Sequence, residues 1–379
     1  MNAPERFTPN ARFDQTALVL QGGGALGSYQ GGVYQALSEA GVSPDWFAGI
    51  SIGAINAAIL AGNRPQDRLD KLTTFWNRVT HDDALAPFSM DDTVSRRTLG
   101  ALSGLQTVAR GIPGFFAPRV PSPWLSLPGS PRALSHYDTA PLRDTLLELV
   151  DFERINRGEV RLSLGAVNVR TGNFSFFDNH RMALGPEHVM ASGALPPGFP
   201  PVEIEGEWFW DGGLVSNTPL SHVLDNASAR STLVFQVDLF SAFGPMPQHL
   251  FDVEERHKDI TYSSRTRMNT NHFRQVHALR QAIGKLAARL PPEALAEPEI
   301  AALADLAPTH AFSIVHLIYR RAAYDGPNKD YEFSRRSMRD HWRAGLNDAR
   351  RTLRKDCWQN PPEPAEGIAV FDTNRAGVL

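Results

Sequence analysis

Three short clusters in this chain carry groups suited to acyl transfer. The pentapeptide Gly49-Ile50-Ser51-Ile52-Gly53 sets one serine between two glycines. A serine on a sharp strand-to-helix turn needs neighbours without side chains if its hydroxyl is to be exposed. A helix beginning at Ile52 directs unpaired N–H groups and the positive end of its dipole toward the same point. The string itself is weak; its flanks strengthen it, because a short apolar strand, Asp45–Ile50, runs straight into a nearly all-apolar helix, Ile52–Leu60. A buried tight turn with an inert serine is the competing reading.

Gly22-Gly23-Gly24-Ala25-Leu26-Gly27 closes an earlier apolar run, Thr16–Gln21, and opens a helix. As G-x-G-x-x-G it has the form of a dinucleotide loop, but that reading expects an acidic residue at the end of the second strand, where Ser51 stands. The alternative is an oxyanion hole made by the backbone N–H groups of Gly23 and Gly24 beside Ser51. Adjacent parallel strands bring their C-terminal ends to one edge of the sheet, so this arrangement accounts for both glycine motifs. A purely structural glycine turn is the third reading. A nucleophilic serine also needs a base. Asp211-Gly212-Gly213 follows the aromatic run Glu207-Trp-Phe-Trp210, and partial desolvation at such a turn raises a carboxylate's basicity. Taken alone, a solvent-facing aspartate in a hairpin turn explains it as well. None of the 12 histidines stands in a context that singles it out; His180 and His188 read as surface or capping residues. No clustering of ligands calls for a metal, and no cofactor is expected.

The elements that must position these groups follow from periodicity. Strand, glycine turn, helix (Leu26–Ala40), strand, sharp turn, helix is an α/β layout around a mostly parallel sheet. Residues 66–80 read as helix. From 81 to 137 the pattern breaks into a weak helix near Leu99–Val108 and a proline-rich stretch holding Phe115, Phe116 and Trp124. An irregular segment of that length is either a functional cover or disordered, and the aromatics argue against disorder. A lid-like insertion whose Phe115, Phe116 and Trp124 line an acyl groove over Ser51 and a surface insertion packed by its own aromatics are equal readings. Regular structure returns as helix 139–150, strands 160–169 and 174–177, helix 186–192, a hairpin over 201–210 turning at Glu205-Gly206, and a buried strand 231–239. Beyond 250 helices dominate (249–289 with a break, 293–305, 334–356), with one strand over 311–321. Met338, Trp342, Leu346, Ala349 and Leu353 form one apolar stripe on the last, Arg-rich helix; docking onto the core explains it more simply than an interfacial role.

A net charge of -3 gives no footing for nucleic acid, although residues 251–355 hold 19 Lys/Arg against 13 Asp/Glu. One cysteine, Cys357, excludes an internal disulfide. The polar stretch Met1–Gln15 lacks the apolar core of a secretory signal, and no apolar run approaches the ~20 residues of a spanning helix. The chain therefore reads as cytoplasmic, with peripheral membrane contact compatible and oligomeric state open.

Together the Gly22–Gly27 loop, the Gly49–Gly53 elbow and Asp211-Gly212-Gly213 resemble, in order and spacing, the three motifs of the patatin-like phospholipase family of acyl hydrolases. Ala191-Ser-Gly-Ala-Leu-Pro-Pro-Gly-Phe-Pro-Pro-Val202 and Val215-Ser-Asn-Thr-Pro219 resemble it too. The resemblance implies a three-layer α/β fold, mostly parallel with helices on both faces, and a Ser51–Asp211 dyad without histidine. It also implies oxyanion donors from Gly22–Gly24 and a lipid or acyl-ester substrate. Leu26 departs from the Arg or Lys of many relatives, which leaves esterase or thioesterase chemistry on other acyl substrates, or lipid-surface binding with secondary hydrolysis, as alternatives. The chain after residue 250 is similar to the extra C-terminal domain of a bacterial subgroup. The expected division is a tail 1–14, a hydrolase unit 15–245 containing the insertion 81–137, a mainly helical unit 246–360 and a loosely ordered tail 361–379.

Overall fold

A computed structural model describes residues 12–82, 93–228, 231–306, 310–322, 325–363 and 366–372. Its strands are β1 (Gln15–Leu20), β2 (Trp46–Gly49), β3 (Ala117–Pro118), β4 (Tyr137–Asp138), β5 (Arg161–Asn168), β6 (Phe174–Asp178), β7 (Val202–Ile204), β8 (Glu207–Asp211), β9 (Ser231–Asp238), β10 (Ala311–Ile318) and β11 (Ile368–Phe371). The helices of the first half are α1 (Ser28–Glu39), α2 (Ile52–Ala61), α3 (Arg68–Arg78), α4 (Thr93–Arg110), α5 (Ala140–Leu149), α6 (Phe152–Asn156), α7 (Pro186–Ser192) and α8 (Leu220–Asn226). Those of the second are α9 (Leu250–Tyr262), α10 (Thr266–Ala287), α11 (Pro292–Leu295), α12 (Pro298–Ala304) and α13 (Arg335–Leu353).

Nine strands form one sheet in the order β11-β10-β9-β1-β2-β5-β8-β7, with β6 also paired to β5. The six from β11 through β5 are parallel, and β6, β7 and β8 pair antiparallel at the far side. The central parallel strands β9, β1, β2 and β5 are buried along nearly their whole length, as strands covered on both faces are. In β1, Leu18 and Leu20 point into one core with α1, α2 and α3, and Ala17 and Val19 into a second with Leu220 and Val223 of α8. That alternation makes three layers, as the resemblance implied. The β7–β8 hairpin turns through Glu205 (φ 52) and Gly206 (φ 82), the left-handed pair a tight two-residue turn needs.

One expectation about the second half is corrected, that of its tail. The segment beyond 245 carries the expected helices, but it also extends the sheet: β10 pairs with β9 in register from Ala311↔Ser231 to Ile318↔Asp238. The tail expected to be loose from Pro361 supplies β11, parallel to β10; residues 364–365 and 373–379 lie outside the described residues, as do most of the N-terminal tail and 83–92 of the insertion. Four consecutive apolar residues after a Pro-rich stretch give a faint strand signal, which only pairing with β10 makes decisive.

The apolar stripe of α13 docks on α1. Gly31, Gly32 and Gly345 let the two backbones touch: a Cβ on Gly32 would sit 1.9 Å from the Trp342 carbonyl oxygen, and one on Gly345 would sit 2.1 Å from that of Tyr29. Trp342 Nε1 donates to Gln35 Oε1 (2.7 Å), and Tyr29 Oη donates to Asp348 (2.9 Å). Core docking, the simpler reading, is what this helix does. In the insertion the three aromatics part company. Phe115 and Phe116 are buried against Phe199, whereas Trp124 is 86 % exposed. The three therefore do not line one groove, and Phe115 and Phe116 pack as a self-contained insertion would.

Candidate active site

β2 ends at Gly49, level with Leu20 of β1, and the chain turns at once into α2. The turn is built on Ser51, whose φ of 55 and ψ of -124 put a residue with a side chain in a region that favours glycine. The Ser51 N–H donates to both the carbonyl and the hydroxyl of Ser192, each at 3.1 Å. The flanking glycines are sterically required. A Cβ on Gly49 would lie 2.3 Å from the Gly53 carbonyl oxygen, and one on Gly53 would lie 2.3 Å from that of Leu20. Such a conformation costs about 1–3 kcal/mol and persists only where the surroundings over-determine it. Three residues with that role, Gly49, Ser51 and Gly53, fall within five positions of the chain.

Asp211 reaches this turn through strand register. β6 occupies one edge of β5 over residues 163–167, so β2 and β8 must share the other. β2 leaves that edge at Leu164, and β8 takes it up at Ala166, opposite Asp211. The last residue of β8 thus lies just past the end of β2. Asp211 is 2 % exposed; its N–H donates to Ala194, and its Oδ1 accepts from the Gly213 N–H at 2.7 Å. Burial raises its pKa to about 6, against the lowering effect of hydrogen bonds from the Ser51 hydroxyl and Gly213. Gly212 permits this approach, since its Cβ would lie 2.6 Å from the Gly165 carbonyl oxygen. A Cβ on Gly213 would press on the Asn217 and Asp211 side chains.

The glycine loop lies against both. A Cβ on Gly22 would meet Ser51 Cβ at 3.0 Å, and one on Gly27 would meet Ile52 Cγ1 at 2.5 Å. The expectation that Gly22 donates to an oxyanion is corrected here: its N–H is held by the Asn217 carbonyl at 3.2 Å. Among the described residues, no acceptor takes the N–H groups of Gly23, Gly24 (φ 54) or Ile52. Ala25, next along, donates to Asp330 at 2.8 Å. Leu26 is fully buried in the core. No described histidine is hydrogen-bonded to Ser51 or Asp211. His188 accepts the Gly185 N–H at the start of its own helix, a capping role, though buried, and the His180 N–H donates to Asp178.

Residues to which sequence reasoning assigned no role hold the loop in place. Gln21 Oε1 accepts from Leu239 N–H (2.6 Å) and Phe240 N–H (2.9 Å), while its Nε2 donates to Thr218 Oγ1 and the Tyr262 carbonyl. Asn217 Nδ2 donates to the carbonyls of Gly22 (3.0 Å) and Tyr262 (2.9 Å). Asn217 belongs to the Val215–Pro219 stretch already conspicuous in the sequence; Gln21, a polar residue closing an apolar strand, was the only signal of the other. Gln21→Ala is expected to leave two buried N–H groups unpaired and to lower stability by about 2–4 kcal/mol. Urea unfolding checks this, and a change under about 0.5 kcal/mol would mean the network relaxes around the loss. A cleft of ≈ 1160 Å³ opens beyond the ends of β9 and β10, past Phe240, but neither Ser51 nor Asp211 lines it.

A strained serine at a strand-to-helix turn, a buried carboxylate beside it and N–H groups with no acceptor among the described residues thus meet at one edge of a three-layer α/β fold. Comparison with known proteins gives the family. A family model described as Patatin-like phospholipase matches residues 18–224, and another described as Patatin phospholipase matches 260–365. The chain belongs to the patatin-like phospholipase family. It is 28 % identical over 228 residues to an uncharacterized NTE family protein of Mycobacterium tuberculosis (strain H37Rv), covering 60 % of this chain and 31 % of that protein, and equally to one of Mycobacterium bovis. The chain thus spans about a third of the length of the curated relatives it matches. Among solved structures, VipD from Legionella pneumophila aligns over 90 % of this chain and 67 % of its own, with TM-score 0.39 and 16 % identity. Among the described residues, no helix is long and apolar enough to cross a membrane.

Proposed function

We propose that the chain hydrolyses lipid acyl esters with Ser51 as nucleophile and Asp211 as its only side-chain base. The observation that carries this reading is the meeting of a strained Ser51 with a buried carboxylate whose pKa, about 6, is raised by desolvation. A base poised near neutrality is both ionised at working pH and basic enough to accept the serine proton. In this mechanism Asp211 takes that proton as Ser51 Oγ attacks the ester carbonyl. The N–H groups of Gly23, Gly24 and Ile52 receive the developing negative charge. The proton passes to the departing alcohol, leaving an acyl-serine. Water, giving its proton to the same carboxylate, then releases the fatty acid and restores Ser51.

The test is a series of p-nitrophenyl esters of increasing chain length together with phospholipid and lysophospholipid, followed by labelling with a fluorophosphonate. Hydrolysis is expected to be highest on long acyl chains, with the phosphonyl group found by mass spectrometry on the peptide holding Ser51. Turnover of short soluble esters alone would favour the esterase reading. Neither turnover nor labelling would overturn the proposal.

A further inference from the structure

We infer that residues 119–136 are the segment by which the protein seats on an anionic lipid surface, linked to the candidate active site through the loop 192–198. The inference rests on the lipid-hydrolase reading for its purpose but on separate observations for its content. The segment is a knob raised on a two-stranded base. β3 pairs with β4 (Ala117↔Asp138, Pro118↔Tyr137), and the Arg119 N–H donates to the His136 carbonyl at 3.0 Å. Above that base the large apolar side chains face outward: Val120 is 88 % exposed, Trp124 86 %, Leu125 78 % and Leu127 80 %. Single exposed apolar residues are ordinary, but four on one short excursion are not, and Trp is a residue that membrane interfaces favour.

Charge says which partner this knob fits. From Thr93 to Tyr137 the chain contains five arginines and no Asp or Glu. Arg96 pairs with Asp340, and Arg119 with Asp138. Arg97, Arg110 and Arg132 are exposed, and none has a carboxylate partner among the described residues. An outward apolar tip flanked by uncompensated arginines matches a bilayer with anionic headgroups, where the tip enters the acyl boundary and the cations meet phosphate. An apolar protein partner would not require the 45-residue stretch to be free of acids.

The knob is mechanically tied to the catalytic candidates. At its base, the N–H groups of His136 and Tyr137 donate to the Pro197 and Gly198 carbonyls (3.1 and 2.9 Å). The same short loop begins at Ser192, which accepts from the Ser51 N–H, and passes Ala194, which accepts from the Asp211 N–H. Phe115, Phe116, Tyr137 and Phe199 pack together beneath the knob. Seating the tip in lipid therefore sets the elbow at a fixed place relative to the surface.

The experiment uses the full chain with vesicles of phosphatidylcholine alone or with about 30 % phosphatidylserine. Co-sedimentation, hydrolysis of a soluble p-nitrophenyl ester and mass by light scattering are measured on each protein. Wild type is expected to bind the anionic vesicles and to release at high salt. Trp124→Ser/Leu125→Ser/Leu127→Ser should lose at least about tenfold in partitioning. Arg110→Glu/Arg132→Glu should lose the preference for phosphatidylserine, and both variants should keep soluble-ester turnover, which shows that they are folded. Wild type that ignores anionic vesicles, or a triple variant that binds like wild type, would overturn the inference. So would a wild-type dimer that the triple variant dissolves, since the occupant would then be a second copy. The hydrolase reading fails independently: vesicle binding by a wild type that cleaves no ester keeps the docking surface and removes the chemistry.

Discussion

Ser51→Ala and Asp211→Asn are each expected to lower ester turnover by at least about 10³-fold, because a dyad acts as a unit and neither member has a substitute. The two variants should differ in stability. Asp211 is buried, and its carboxylate is held up at about 6 from an ordinary 3.8. For an acid whose folded pKa is raised, folding favours the protonated form. Its contribution is full below pH ~4 and is lost as pH rises through 6, so at pH 8 the ionised carboxylate costs on the order of 2–3 kcal/mol. Asparagine keeps the shape and the acceptor for the Gly213 N–H without the charge. Asp211→Asn should therefore be inactive and more stable than wild type at pH 8, while near pH 4 the two converge. In wild type, kcat/KM should rise through pH ~6 to a plateau as Asp211 ionises. Asp45, an exposed residue whose carboxyl is partly desolvated and raised to about 6, accepts from the Thr16 N–H at the start of β1, its effect weakened by solvent screening. It adds to the pH dependence of stability but not to that of catalysis, so the two curves separate. Substantial turnover by Asp211→Asn, or an acid limb in kcat/KM absent around pH 6, would remove Asp211 from the role of base.

What could be read before the fold was known depended on how local the causes are. Ser51 was legible because a strand, two glycines and a helix within about fifteen residues state the steric case for an elbow. Asp211 was not legible in the same way. Its place is decided by β5, whose one edge is shared end to end by β2 and β8, and no spacing in the sequence encodes which edge a strand takes. Gly22 was assigned a donor role that its N–H lacks, because Asn217, 195 residues away, holds it. The insertion left two readings open through its aromatics: Phe115 and Trp124 look alike in sequence, yet one lies under a two-stranded base and the other above it. The last helix was read correctly, since an apolar stripe at helical spacing is a local property. Its partner α1 was not foreseen, although Gly31 and Gly32 mark the contact.

A chain ending at residue 245 is expected not to fold, despite retaining Ser51, Asp211 and every glycine of the motifs. β9 is buried along nearly its whole length, and losing β10 turns it into an edge with an open row of N–H and C=O groups. Trp358, fully buried against Phe235 (5.6 Å between rings), goes too, as does the Tyr262 carbonyl that receives Gln21 and Asn217. Removing α13 opens the face of α1 that carries Tyr29 and Val33, both fully buried. The fragment should be insoluble, or soluble without a cooperative thermal transition; sharp two-state melting of residues 1–245 would instead establish an independent hydrolase unit. A single methyl group tests the same contact without truncation. In a free helix Gly→Ala is favourable by about 1 kcal/mol. At Gly345 the added Cβ would lie 2.1 Å from the Tyr29 carbonyl oxygen, and backbone on both sides leaves little room to give. Overpacking of that kind costs about 1–3 kcal/mol and more where rigid backbone is struck, so the contact outweighs the propensity and Gly345→Ala should destabilise. A stabilised variant would mean that α1 and α13 part easily, and with them the case that the second half of the chain holds the first together.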